Sequence, residues 1–217
     1  MNSGAVRDLG TKIDALKKIP LGASIPMEVV AMLMIYLSDN MATNVFLNDF
    51  IPKELFNSTM KELGYGSTKL TAEKLNKDFF FQSTEDIGYS TPEELGRILS
   101  DIILYKTLEK KYSEKLLEYM SMSYLAYRLT RRLPHHTRQG EKAVIERYGS
   151  KAGTFTRLKV VNDLAFAVAK DGQQIVISCM MNGLSNEDNI LPSVVDSMQN
   201  NLLGDIGVLS FEFLQKK

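Results

Sequence analysis

Residues 146–183, ERYGSKAGTFTRLKVVNDLAFAVAKDGQQIVISCMMNG, decide the fold. Residues 163–169 and 173–181 are short apolar runs of strand character, and Asp171-Gly172 between them is a strong signal for a tight hairpin turn, whose backbone twist needs positive φ. Upstream, residues 143–148 alternate roughly as a strand, which Gly149 is expected to end. Downstream, Pro192 precedes a final amphipathic helix running towards Leu214, with Gly204 and Gly207 as weak points. The last third is therefore an antiparallel sheet followed by a closing helix.

The first two-thirds carry helical spacing instead. Residues 26–37 are strongly apolar, as in a helix buried on nearly every face. After Ser38-Asp39-Asn40, residues 41–50 resume with Val45, Phe46 and Leu47. A short helix over 56–63 stops at Gly64 and Gly66. Residues 67–90 are polar and poorly periodic, and the cluster Phe79-Phe80-Phe81 argues for a packed loop there. Thr91-Pro92-Glu93-Glu94 is a helix start: Thr91 caps, Pro92 suits the first turn and Glu94 completes a capping box. A further helix is expected over 113–131, with Leu116, Leu117, Met120 and Tyr124 on one face. Helices, then sheet, then helix make an α+β chain.

Composition removes several classes of function. Lys+Arg and Asp+Glu are both 26, so the chain has no positive excess for nucleic acid or a polybasic membrane surface. The single cysteine, Cys179, lies in an apolar run and offers neither an internal disulfide nor a metal site. His135-His136 is a surface pair with no third ligand nearby. No cofactor is implied. The longest apolar stretch, 25–37, is interrupted by Glu28 and is shorter than the roughly 20 residues that span a bilayer. Residues 1–20 hold no apolar core of a signal peptide.

Two polar elements interrupt this scaffold. Ser38-Asp39-Asn40 divides two apolar helical segments, where a polar tripeptide is costly to bury. By itself it is an ordinary helix break, because all three residues favour caps; its chemical use would be a hydroxyl and an amide presented into a cleft. Ser150-Lys151-Ala152-Gly153-Thr154 follows a strand. By itself it is a turn with a solvated lysine, but a lysine beside a glycine also lets a substrate approach the backbone while the ammonium holds a carboxylate. From Lys106 to Lys151 eleven Lys/Arg face five Glu, either a solvated helix face or a field that attracts an anionic ligand.

Taken together and in order, these elements resemble the penicillin-recognising serine hydrolases of the class A β-lactamase type, which carry Ser-x-x-Lys, Ser-Asp-Asn and Lys-Thr-Gly. Residues 34–50, MIYLSDNMATNVFLNDF, resemble the Ser-Asp-Asn segment. Residues 90–99, STPEELGRIL, resemble the helix start after that family's omega loop, and residues 146–183 resemble its lysine strand and following hairpin. The resemblance implies an α/β sandwich built as one continuous domain, with a helical lobe over 1–140, an omega-like loop at about 67–90, and sheet strands plus the C-terminal helix over 141–217. It implies that Ser38 relays a proton to the leaving nitrogen and that Asn40 holds the substrate's side-chain carbonyl. Lys151 supplies the cation, Gly153 gives close backbone approach, and the Thr154 N–H is one oxyanion donor. The substrate would be a β-lactam or a D-Ala-D-Ala-like amide, attacked through an acyl-enzyme. Family members are periplasmic or secreted.

Three departures qualify the match. Ala152 stands where the family has Thr or Ser. Glu73 precedes Leu75-Asn76 at one position out of register for the deacylation base. No Ser-x-x-Lys precedes Ser38; Ser58-Thr59-Met60-Lys61 follows it, on a surface-type amphipathic helix. The expectation is a chain lacking the family's first helix and two strands, inactive alone, with residues 173–181 as an exposed edge through which it oligomerises or swaps strands. The alternatives are a penicillin-binding or D,D-peptidase-type protein, a non-catalytic cell-wall ligand-binding module, or a gene remnant.

Overall fold

The computed structural model describes residues 15, 19–20, 22–71, 87–122, 128–133, 145–155, 160–181 and 192–215. These hold six helices and two small antiparallel sheets, the mixed class expected from the sequence. The chain divides into two compact units, Met1–Leu95 and Gly96–Lys217.

In the first unit, α1 (Met27–Met32) continues into a π-helical turn, Leu33–Leu37, and α2 (Asn40–Val45) into a second one, Phe46–Phe50. Wider turns of this kind are rare and gather at functional sites. The α1 segment is less enclosed than its composition suggests. Val30 is its only fully buried residue, while residues 31–37 are half-buried, so the segment is covered on one side. Next comes α3 (Lys53–Glu62), which starts right after Pro52, three residues earlier than the apolar spacing marks. Ser58 and Lys61 are exposed on it, as a surface helix requires.

The polar stretch after α3 is closed at its base. Strands β1 (Lys69–Leu70) and β2 (Gly88–Tyr89) pair antiparallel, Lys69 opposite Tyr89 and Leu70 opposite Gly88. Asn57 braces this base from α3: its Nδ2 donates to the Leu70 carbonyl at 2.9 Å and its Oδ1 accepts the Leu70 N–H at 2.8 Å. The Phe79–Phe81 cluster lies outside the described residues. At the start of α4 (Pro92–Ile103), Thr91 Oγ1 accepts the Glu94 N–H at 3.1 Å, half of the expected capping box. The Glu94 carboxylate accepts from the Ser67 N–H at 3.1 Å and from the Thr68 hydroxyl at 2.6 Å, and so ties the loop base to the helix.

The second unit is layered. Strands β3 (Ile145–Phe155), β4 (Val160–Ala169) and β5 (Gln174–Met181) form one antiparallel sheet in the order β3-β4-β5. The β4–β5 hairpin turns where expected: Gly172 takes φ +85, and the Asp171 carboxylate accepts the Gln173 N–H at 3.0 Å. One face of the sheet carries Val161, Ala165, Ile177, Cys179 and Met181. It packs on Leu129 and on Leu203 and Ile206 of α6 (Pro192–Gln215). A neighbouring cluster joins Leu133, Ile145, Ala167 and Phe211. The opposite face meets α5 (Lys110–Ser121) and the second half of α4, where a Cβ on Gly96 would sit 3.7 Å from the Ser178 Cβ.

Four expectations are corrected here. The α5 helix begins at Lys110 and ends at Ser121, ten residues before Arg131; residues 128–133 are a turn fastened to the sheet by long-range bonds that local spacing cannot reveal. Gly149 does not end the strand but lies inside β3. A Cβ there would stand 2.7 Å from Met120 and Ser121 backbone atoms and from the Phe166 ring, so glycine is needed for α5 to rest on the sheet. Gly207 is likewise a packing contact rather than a weak point, since a Cβ there would fall 1.8 Å from the Leu129 carbonyl oxygen. Nor is α6 simply amphipathic: besides its buried residues Leu203 and Phe211, it exposes Met198, Leu202, Leu209 and Phe213.

Candidate functional site

Among the sequence-derived candidates, Ser38 and Asn40 lie in the first unit. Lys151, Gly153 and Thr154 lie together on β3 in the second, and Glu73 and the pair His135-His136 fall outside the described residues.

Asp39, between the two polar candidates of the first unit, is fully buried and organises them. One carboxylate oxygen accepts the Ala42 N–H at 2.9 Å, which caps α2, and the other accepts the Ala15 N–H. Its carbonyl takes the Thr43 N–H at 3.1 Å and the Thr43 hydroxyl at 3.0 Å. With Asp39 fixed, the residue before it must turn the chain out of the π-helical turn. Ser38 does so in the left-handed region, φ 56 and ψ 39. For a residue with a Cβ that costs about 1 kcal/mol, a strain typical of functional positions. Ser38 and Asn40 are both half-buried, so each reaches the surface from an anchored backbone.

On β3 the pleat separates the motif into two faces. Ser150, Ala152 and Thr154 lie on one, while Lys151 and Gly153 share the other with Gly149, over which α5 packs. The lysine sits within the strand rather than beyond its end. Its Nζ donates to the Ala152 carbonyl at 2.8 Å. Desolvation pulls the ammonium down to about 8, with Asp163 opposing that shift and Arg128 adding to it. At pH 7 it is still mostly charged, but its proton is held less firmly than a solvated lysine's.

A residue that sequence spacing missed joins the β3 group. Arg128 is 2% exposed. Its Nη1 donates to the Gly153 carbonyl at 3.0 Å and to the Asn162 carbonyl at 2.8 Å, its Nε donates to Asn200 Oδ1 at 3.2 Å, and its Nη2 donates to the Thr154 hydroxyl. One guanidinium thus joins β3, β4 and α6. In sequence Arg128 is one more cation in a basic run. Arg128 and Lys151 place a positive field on β3, and the exposed Thr154 hydroxyl, held by the buried Arg128, is the group at which an anion would feel it. Asp163, across the sheet from Ala152, is 2% exposed and accepts the Leu129 N–H at 3.0 Å. Burial lifts its carboxyl to about 6, while the Leu129 N–H and the charges of Arg128 and Lys151 pull the other way.

Comparison with known proteins follows the same lines. A family model described as the beta-lactamase enzyme family matches residues 7–211. No curated protein matches the sequence. Among solved structures, the β-lactamase from Sphaerobacter thermophilus DSM 20745 superposes with a TM-score of 0.73 at 21% identity, covering 94% of this chain and 69% of that one. An ancestral class A β-lactamase gives 0.70 at 19%, covering 93% and 70%. A mutant of PBP-A, in acyl-enzyme complex with penicillin G, gives 0.70 at 20%, covering 93% and 66%. At these identities the superpositions establish the fold, an α+β arrangement of the serine β-lactamase type.

Proposed function

This chain belongs to the beta-lactamase enzyme family, and from that premise we propose that it forms the binding and proton-relay part of a serine hydrolase acting on β-lactams. The observation that carries this reading is the β3 edge, where the Arg128 guanidinium donates to the Thr154 hydroxyl and Lys151 stands three residues before it on the same strand. A β-lactam's carboxylate meets the exposed Thr154 hydroxyl there, in the positive field of the two cations, and its carbonyl oxygen, becoming an oxyanion on attack, takes the Thr154 N–H. From the first unit, Ser38 passes a proton to the leaving nitrogen and Asn40 holds the side-chain carbonyl. Glu73 activates the deacylating water. No Ser-x-x-Lys precedes Ser38 in the sequence, so the acylated serine comes from outside these 217 residues and the chain alone does not turn over.

One observation favours a second reading. Ala152 is buried and carries no hydroxyl, so a contact to the substrate carboxylate is lost and only the cations remain. A penicillin-binding protein of D,D-peptidase type, or a non-catalytic module holding a D-Ala-D-Ala-like ligand, tolerates that weaker hold. Nitrocefin hydrolysis and fluorescent-penicillin labelling separate the readings, run on this chain alone and on the chain extended by its upstream coding sequence. Turnover only on extension supports the hydrolase. Labelling without turnover supports the penicillin-binding protein, and silence in both leaves the ligand-binding module.

The partner surface belongs to the same proposal. β5 is an edge of the sheet among the described residues and holds no charged side chain, and α6 exposes Met198, Leu202, Leu209 and Phe213. Such an edge invites another strand, so the chain associates or exchanges strands through 173–181. A monodisperse monomer in sedimentation would count against this. No helix of the described residues is long and apolar enough to cross a membrane; export to the periplasm or beyond is proposed from the family.

A further inference from the structure

We propose that Asp163 is a positioning residue for the carboxylate-binding edge, acting through Leu129 and Arg128 without touching the ligand. The proposal rests on the reading of Arg128, Lys151 and Thr154 as that edge.

Asp163 stands mid-way along β4, opposite Ala152 of β3 and Cys179 of β5, so its side chain shares their face of the sheet. Around it that face carries the apolar Val161, Ala165, Ile177 and Met181, among which a carboxylate is costly. The methyl group of Ala152 leaves room for it. Oδ2 accepts the Leu129 N–H at 3.0 Å, and Oδ1 has no hydrogen-bond partner among the described residues. The Leu129 N–H is the hydrogen bond that ties this buried carboxylate to the 128–133 turn.

Leu129 is held through both peptide groups that flank its Cα. Its N–H is taken by Asp163, and its carbonyl lies so close to α6 that only glycine fits at position 207. The side chain is itself fully buried between Val161, Ala165 and Leu203. With residue 129 immobile, the preceding residue has its Cα placed, and the planar guanidinium of Arg128 reaches Gly153, Thr154, Asn162 and Asn200 from that one position. An arginine on a free turn would adopt many rotamers and lose this fork geometry. Asp163 thus sets the register of the 128–133 turn against β3, and through it the orientation of the Thr154 hydroxyl.

The test is nuclear magnetic resonance of the whole ¹⁵N-labelled chain in three forms: unmodified, D163N and D163V. Asparagine keeps an acceptor for the Leu129 N–H, and valine removes it while preserving strand preference. The expected result is that D163V speeds exchange of the Leu129 amide and the Arg128 Nε–H by about tenfold or more and shifts the Gly153 and Thr154 amides, whereas D163N stays within about twofold. Unchanged Arg128 and Thr154 signals in D163V overturn the proposal. So does a uniform loss of protection that also takes in Phe166 and Ala167, since that marks a purely structural role.

A binding arm uses benzylpenicillin and its methyl ester as probes. Positioning predicts that D163V weakens the acid by about tenfold and leaves the ester unchanged, with D163N restoring the acid. If the unmodified chain does not distinguish acid from ester, the reading of the strand edge fails, while the exchange measurements still decide the positioning role.

Discussion

The Ser38–Asn40 turn and the Lys151 strand present polar groups by opposite means. The turn is capped by near neighbours in sequence, since Asp39 caps the helix that begins one residue later and takes the Ala42 N–H three residues on, with one further bond from the Ala15 N–H. The strand is held from a distance, since Arg128 and Asp163 secure it across sequence separations of 25–34 residues. The first device leaves the backbone strained at Ser38. The second buries a cation and a carboxylate. The comparison teaches that a polar group can be held in place either by strain stored locally or by charge stored in the core of its own unit.

The largest effect should come from attacking the distant device where it is tightest. Gly207→Ala drives a methyl group into the Leu129 carbonyl and is expected to cost about 3 kcal/mol or more, read as a loss of urea resistance in the second unit. Equal loss in both units would show that the two devices are not separable. The local device should break more gently. Asp39→Ala removes a buried carboxylate that accepts two N–H groups, and about 2 kcal/mol of stability should go. Hydrogen exchange should place that loss in residues 38–45 and spare β3 and β4.

Two smaller effects sharpen the contrast. Ser38→Gly relieves the left-handed backbone and should stabilise the chain by about 0.5–1 kcal/mol while deleting the proposed proton relay. A destabilised variant would show that the hydroxyl matters more to the fold than the strain does. The other is a pH dependence confined to the strand. Asp163 is raised from 3.8 to about 6, so the stability it contributes is fully present below 3.8 and is lost as pH rises through about 6. Lys151 is lowered from 10.5 to about 8, so its contribution is present above 10.5 and is lost as pH falls through about 8. The second unit should therefore be least stable between about pH 6 and 8, and thermal melts of D163N should lack the slope on the acid side.

How much was legible in advance follows the same division. The hairpin at Asp171-Gly172, the helix start at Thr91-Pro92 and the strand character of 163–169 depend on residues within a few positions of one another, and sequence placed them correctly. Gly149 and Gly207 were misjudged because a glycine that ends an element and a glycine that admits a neighbouring backbone have the same sequence signature. The helix expected to reach Arg131 stopped at Ser121, because the bonds that fasten 128–133 go to Asn162, Asp163 and Asn200.

By itself the sequence determined the class of fold and the order of its polar elements, because periodicity, turn chemistry and capping act over one or two turns of chain. Only the tertiary structure decided that Arg128 is buried on Thr154, that Asp163 answers it from the next strand, and that Ser38 is strained. Those outcomes depend on which distant groups can satisfy a buried charge or close a turn, and no local pattern encodes the partner.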